Sequence, residues 1–425
     1  MRAPHKFRML ELKTRYVRTQ AVRYLRPLRL TNGHAGPDLG GPPCLTQPTS
    51  VNAATESSLQ PASSDSHHTG TILSGLKIFC KPASVARDEE EVPMKRRDVL
   101  FGAGAALLAA TASRAQDGYP DRPITISNGY GPGGSTDIAA RLMIDQMAPS
   151  LGANAKLIVE NRAGASGTIA ATWLARQPAD GYSLMISESS SFAIWPSMHE
   201  SGTRYRPLAD FTWISTICTA PMVFIVKPDF PAENAQDAFN ILRSEKSASL
   251  DYSSSGQGSI PHIAAEMLKH ALGNTVRSQH VPYRGGAPAV LSVAKGETAW
   301  GVASLGSAAG QMQGNLVRPL AVTSAQRFPA FPDIPTFAEL GLKEMELNIF
   351  YLLHGPASLP AEIMARLNRS SVVALAHGQT RERFVNAGMQ AWDGPNTPES
   401  SRVVVERELQ RFAEIGERTG IKISG

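Results

Sequence analysis

Cysteine is scarce in this chain. Three residues in 425 leave no basis for a disulfide framework. Cys44 and Cys80 fall near the start, and Cys218 alone lies in the later part, inside an apolar run from Trp213 to Val226. There it reads as a small buried core residue and not as a nucleophile. Metal-ligand spacing is also missing. His199, His270, His280 and His354 form no H-E-x-x-H pattern, so no metal site and no cofactor are expected. No G-x-S-x-G nucleophile elbow occurs. Beyond one short apolar run, Val99 to Ala112, no long hydrophobic segment follows, which predicts a soluble mature protein.

That run belongs to the most informative segment, Met94 to Ala115. It has a basic start (Lys95, Arg96, Arg97), an apolar middle and a small-residue end, Ser113-Arg114-Ala115. The pattern is that of an export signal cleaved before Gln116, with a weak twin-arginine character. Residues 1–93 precede it. They are arginine-rich at first, then rich in Pro, Ser, Gly and Thr, with no sustained period, and read as disordered. The simplest account is a start called too early, with translation beginning at Met94. The alternative is a basic tail for membrane or nucleic acid, which no aromatic interleaving supports.

Charge follows the same division. Residues 1–115 hold 16 of the 42 basic and 9 of the 37 acidic residues, so the remainder carries a net charge of −2. Nucleic acid is therefore not an expected partner.

From Gln116 to Gly425 there are 310 residues, enough for two domains. Strand and helix patterns alternate. Ile124 to Ser127 is a strand, followed by a Gly-rich loop from Gly129 to Gly134 and a helix to about Ser150, capped by Ser135 or Thr136. Lys156–Glu160 and Tyr182–Ser187 are further strands, with a helix from Thr168 to Arg176 between them. A second α/β unit repeats the theme. Ser249–Ser253, His280–Tyr283, Thr298–Ala303 and Arg318–Thr323 are strands, and Pro261–Leu272 and Ala287–Val293 are helices. A Pro-rich link, Phe328 to Pro335, leads to three C-terminal helices. The order predicts an α/β fold with parallel strands and right-handed crossovers. Each unit sends a Ser/Gly loop from a strand end to a helix start. Such starts expose unpaired N–H groups and partial positive charge, which makes both loops anion cradles.

Two enzyme readings compete. Gly129-Tyr130-Gly131-Pro132-Gly133-Gly134 fits the dinucleotide pattern G-x-G-x-x-G, with Glu160 ending the next strand. An export signal and Pro132 inside the loop argue against an oxidoreductase. Ser255 or Ser259 would serve an exported hydrolase only with a base nearby.

Eight segments in one order carry a family likeness. They include Tyr119–Ile124, Gly131–Asp137, Val159–Ala165, Pro178–Tyr182, Tyr252–Ser259, Val281–Gly286, Leu320–Ser324 and Pro332–Thr336. In these the chain resembles the extracytoplasmic solute receptors of the tripartite tricarboxylate transporters, also called Bug receptors. The resemblance implies a type II periplasmic-binding-protein fold, two α/β lobes joined by two crossing strands near Pro221–Val226 and Leu320–Thr323. Lobe one would be 116–220 with 324–425, and lobe two 221–323. A small organic anion would bind between them, in a monomer that serves membrane components of a transporter or a sensor kinase.

The implied ligand residues are Tyr130, Gly131, Gly133, Gly134, Ser135, Thr136 and Asp137 in the first loop. Ser187, Ser189, Ser190 and Ala193 come from the second. Ser254, Ser255, Gly256, Ser259 and His262 come from the third, and Tyr283, Ala303 and Ser304 complete the set. The chain departs from the family at Val302-Ala303-Ser304, where an acidic residue is common. Its loss argues against a ligand amine. Trp195 stands where a smaller polar residue is usual and would narrow the pocket. Arg162 and Arg284 read as solvated or structural, and Trp300 and Trp392 as core.

Overall fold

The computed structural model describes residues 118–424. The export signal and the stretch before it lie outside these residues. The first half runs β1 (Ile124–Asn128), α1 (Ser135–Leu151), β2 (Leu157–Asn161), α2 (Thr168–Leu174), β3 (Ser183–Glu188), a π-turn at Ser190–Ile194, and α3 (Trp195–Met198). After β4 (Phe211–Val226) come α4 (Ala235–Arg243), β5 (Tyr252–Ser254), α5 (Ile260–Ala271), β6 (His280–Pro282) and α6 (Gly286–Ala294). Then follow β7 (Trp300–Ser304), α7 (Leu305–Gln313) and β8 (Arg318–Val322). The chain closes with β9 (Asn348–Pro356), α8 (Ala361–Ala376), α9 (Gly378–Asn386), β10 (Gln390–Ala391) and α10 (Pro398–Thr419).

The strands form one continuous path, β2-β1-β3-β9-β4-β7-β5-β6, with β8 and β10 also on β4. Within each half the neighbours are parallel, β2-β1-β3 and β6-β5-β7, as the alternation predicts. The centre is different. β9 and β4 run antiparallel to each other and to their neighbours, so the sheet is mixed. β9, α4 and α7 are elements that the sequence patterns do not reveal.

β4 is the spine, and its 16 residues, FTWISTICTAPMVFIV, are mostly apolar and nearly all buried, on both faces, as a central strand must be. Phe211 to Pro221 pair with β9, and Met222 to Val226 pair with β7 on one side and β8 on the other. Pro221 has no N–H to give to a ladder, and it sits at this change of partners. Beyond it the side chains alternate. Val223 and Ile225 enter a small core with Val290, Leu305 and Phe328. Phe224 points the other way, 6.0 Å from Phe239, 5.9 Å from Trp300 and 6.4 Å from Phe337.

The second crossing lies beside the first. Thr323 N–H donates to Met222 O at 2.9 Å, Met222 N–H donates to the Thr323 hydroxyl at 2.8 Å, and Leu347 N–H donates to Thr323 O at 3.1 Å. Residues 324–347 do not return to the first half at 324. Phe337 stacks on Phe239 at 6.1 Å, and Phe328 and Ile334 join the core around Val223 and Ile225. The segment packs on the second half as far as Leu347. Cys218 is fully buried in β4 and Trp300 in β7, both core residues as expected. Among the described residues no helix is long and apolar enough to cross a membrane.

Candidate functional site

A narrow cavity, closed down to about the size of a water molecule, lies where the two halves meet. Gly134, Ser135 and Thr136 line it from the start of α1, Ile260 and Pro261 from the start of α5, Gly286 from the start of α6, and Ser304 and Ser307 from the start of α7. Tyr130, Glu188, Ser255 and Ile349 complete the wall. Four helix N-termini thus face one small space from both halves. Each brings partial positive charge and N–H groups without intrahelical partners.

The first loop is held from behind. Asn128 Oδ1 accepts from Tyr130 N–H at 3.0 Å, and Asn161 Nδ2 donates to Tyr130 O at 2.9 Å. Asp137 neither lines the cavity nor caps α1 in the ordinary sense. Its Oδ2 accepts from Gly133 N–H at 3.0 Å, while Arg141 and Asn161 hold the rest of the carboxylate. Burial pushes its pKa up, but the bonds from Arg141, Gly133 and Asn161 outweigh this and keep it below the usual range. The expected Ser135 or Thr136 cap is replaced. Gly134 takes the cap position, and Ser135 N–H donates to the Ser307 hydroxyl at 3.0 Å. A residue 172 positions away supplies what the local sequence promises. Gly131 and Gly133 lie off the cavity wall. Gly131 faces Arg284 O across the cleft, where a Cβ would stand 3.4 Å from it.

The second loop brings a residue the sequence reading does not single out. Glu188 ends β3 and is 2% exposed. Tyr130 Oη–H donates to its Oε1, and Ser190 N–H donates to its Oε2 at 2.8 Å. Burial raises its pKa, and burial beside Glu188 raises that of Tyr130. The flanking serines serve the fold. Ser189 Oγ accepts from Phe350 N–H at 3.1 Å, and Ser190 Oγ accepts from Ile260 N–H at 2.9 Å across the cleft. Ser187 Oγ is buried without a partner, and Ala193 is core.

In the third loop Ser255 alone reaches the cavity wall. Ser254 Oγ lies 2.7 Å from His280 Nε2 and accepts from Gly256 N–H at 3.1 Å. Ser259 caps α5 by accepting from His262 N–H at 3.3 Å. His262 turns away from the cavity. Its Nδ1 accepts from Gly258 N–H at 3.2 Å, and its ring stacks on His280 at 4.1 Å. Burial pushes its pKa down to about 4, so it stays neutral. Tyr283 and Gly256 line a second, outer cavity with Trp195 and Arg284, one that shares Tyr130 and Ser255 with the first. Ala303 faces the core of the second half, and Ser304, one residue on, faces the cavity. Arg162 is structural, 3.8 Å over the Trp173 ring and 2.8 Å from Glu160.

The chemistry available is binding. Ser255, the candidate nucleophile, has no histidine hydrogen bond, and the histidine-bonded serine is Ser254, in a part-buried pair with His280. Among the described residues no three His, Cys, Asp or Glu side chains cluster to hold a metal ion. Ser307 and Ile349 escape sequence reasoning because α7 and β9 do. Glu188 does have a signal, a lone charge closing an apolar strand before three serines.

Residues 139–421 match the family described as tripartite tricarboxylate transporter family receptor. BugT of Bordetella pertussis (strain Tohama I) is 30% identical over 331 residues, covering 78% of this chain and 99% of that protein. The structure of the periplasmic binding protein BugD aligns with a TM-score of 0.68 and 29% identity over 72% of this chain and all 100% of its own. Rpa4515 of R. palustris, solved with adipate, gives 0.68 and 28% over 72% of this chain and 100% of its own. The fold is therefore that of the periplasmic binding proteins, and the hydrolase and oxidoreductase readings fall. The chain belongs to the tripartite tricarboxylate transporter receptor family, as a periplasmic solute-binding receptor and not an enzyme.

Proposed function

We propose that this receptor captures a small organic acid between two lobes, residues 118–220 with 348–424 and residues 221–347. The convergence of four helix N-termini on one cavity carries this reading. Amide and hydroxyl donors aimed at a carboxylate make hydrogen bonds about twice as strong as neutral ones. They supply that recognition here without any basic side chain in the wall. The adipate held by Rpa4515 fits the same chemistry. Closure of the lobes would shut the acid away from water, and delivery to transporter membrane components or a sensor would follow opening. Export through cleavage after Ala115 completes the proposal, and mass spectrometry of the N-terminus of the secreted protein tests it.

The binding test is a thermal-shift series over mono-, di- and tricarboxylates. A true ligand at 100 times its dissociation constant adds about 2.7 kcal/mol to stability. No shift with any acid would defeat the proposal.

A further inference from the structure

The cavity has one wall that does not suit an anion. Glu188 is buried there, and both its oxygens already accept hydrogen bonds, Oε1 from Tyr130 Oη–H and Oε2 from Ser190 N–H at 2.8 Å. Ser190 N–H can only donate, so at least one oxygen is fixed as an acceptor. A carboxylate has about four lone-pair sites, which leaves about two open. Among the described residues lining the cavity there is no lysine, arginine or histidine to balance the charge. A buried ionised group without a partner is costly. A ligand that brings a positive or N–H donor group would relieve that cost.

The cavity is bipolar as a result. The helix starts at Ser135, Ile260, Gly286 and Leu305 favour negative charge, and Glu188 opposes it. A plain diacid admitted when the lobes part would set a second carboxylate against Glu188. An acid that also carries nitrogen sets an N–H donor there. We propose that Glu188 is a specificity residue that selects acids bearing an ammonium or amide nitrogen over plain diacids. This reverses the expectation drawn from Val302-Ala303-Ser304. The acidic group absent from β7 is supplied by β3, from the opposite half of the cleft.

The inference rests on the receptor reading above, and one calorimetric experiment separates the two. The purified protein is titrated at pH 7 with matched pairs, aspartate against succinate and glutamate against glutarate, then with asparagine and glutamine. The nitrogen-bearing member of at least one pair binds at least tenfold more tightly than its plain counterpart. In Glu188→Gln that ratio falls towards one, and the plain diacid gains at least tenfold. Plain diacids binding as tightly as their amino partners in the unaltered protein overturn the specificity role and leave the receptor reading intact. A ratio unmoved by Glu188→Gln overturns it equally. Weakening of a diacid by Glu188→Gln also overturns it, because Glu188 would then be acting as a protonated donor. Binding by none of the six compounds or of any other acid defeats both readings. The wild-type ratio needs no variant, so a failure of Glu188→Gln to fold still leaves the proposal testable.

Discussion

His354 sits on β9 with both ring nitrogens buried and unpartnered, 4.8 Å from Phe211 and 4.4 Å from Trp213. Burial pushes its pKa down to about 3, and His280 is likewise pushed to about 3 and His262 to about 4. These rings stay neutral in the fold, while the unfolded chain takes up protons below about pH 6.5. Their contribution is whole above that pH and is lost as pH falls towards 3 to 4. For His354, the fully buried ring, the loss is about 1.4 kcal/mol per pH unit across that window. Urea unfolding at pH 7.5 and pH 5 should show the loss. His354→Phe should flatten the acid slope and raise stability at pH 7.5 by about 1 kcal/mol, since two unpaired buried nitrogens disappear. Asp137 acts at lower pH, because its depressed pKa gives stability that is whole above about pH 4 and is lost as pH falls below that. Asp137→Ala should free the loop at Gly133, weaken ligand binding and cost about 1–3 kcal/mol in the same unfolding measurement. At this scale the site is only partly legible in sequence. Tyr130, Gly134, Ser135, Thr136, Ser255 and Ser304 reach the cavity. Ser189, Ser259 and His262 are polar residues in the expected loops whose side chains are consumed by Phe350, the α5 cap and Gly258. Nothing local distinguishes a hydroxyl that holds a loop from one that holds a ligand.

Elements are easier to read than contacts. Strands and helices with a clear period, such as α1, β3 and α5, emerge from the sequence with ends off by one or two residues. α7 (LGSAAGQMQ) is small and weakly patterned, and β9 (NIFYLLHGP) follows a Pro-rich stretch that hides its start. Both are defined by what they pack on, α7 by the core around Val223 and β9 by the long ladder with β4. The meeting of helix starts is sensitive for the same reason. A Cβ on Gly286 would lie 2.2 Å from Ser307 Oγ and 2.8 Å from Ser307 Cβ. Gly286→Ala should force α6 and α7 apart, cost about 1–3 kcal/mol by overpacking and lower ligand affinity. Gly286→Ala combined with Ser307→Gly should relieve the clash but keep the cost of the lost Ser135 N–H bond and of a glycine in α7, so denaturant titration should report partial recovery relative to the sum of the two single variants. Strictly additive losses in the double variant would mean that the Gly286–Ser307 contact does not set the spacing of α6 and α7.

The whole molecule stands with its halves drawn together. Ser166 Oγ–H donates to Gln257 O at 2.6 Å, Ile260 N–H to Ser190 Oγ at 2.9 Å, and Ser135 N–H to Ser307 Oγ at 3.0 Å. Each such bond is worth about 0.5–1.5 kcal/mol net. Removing two of them by Ser166→Ala and Ser307→Ala should shift the population towards an open form and weaken ligand binding by about tenfold or more. Small-angle scattering should show a larger radius of gyration before ligand is added and a return to the closed value at saturation. An unchanged radius with unchanged affinity would place the closing force elsewhere, at the paired crossings of Met222, Thr323 and Leu347.

That β4 belongs to both halves has a consequence for how such proteins can be recombined. Neither half is a portable cassette, since cutting at Val226 strips one half of the sheet of its central strand and cutting at Phe211 strips the other half. A chimera carrying a relative's middle segment needs two splice points made together, near Pro221 and near Leu347, where the two backbones already lie one hydrogen bond from Thr323.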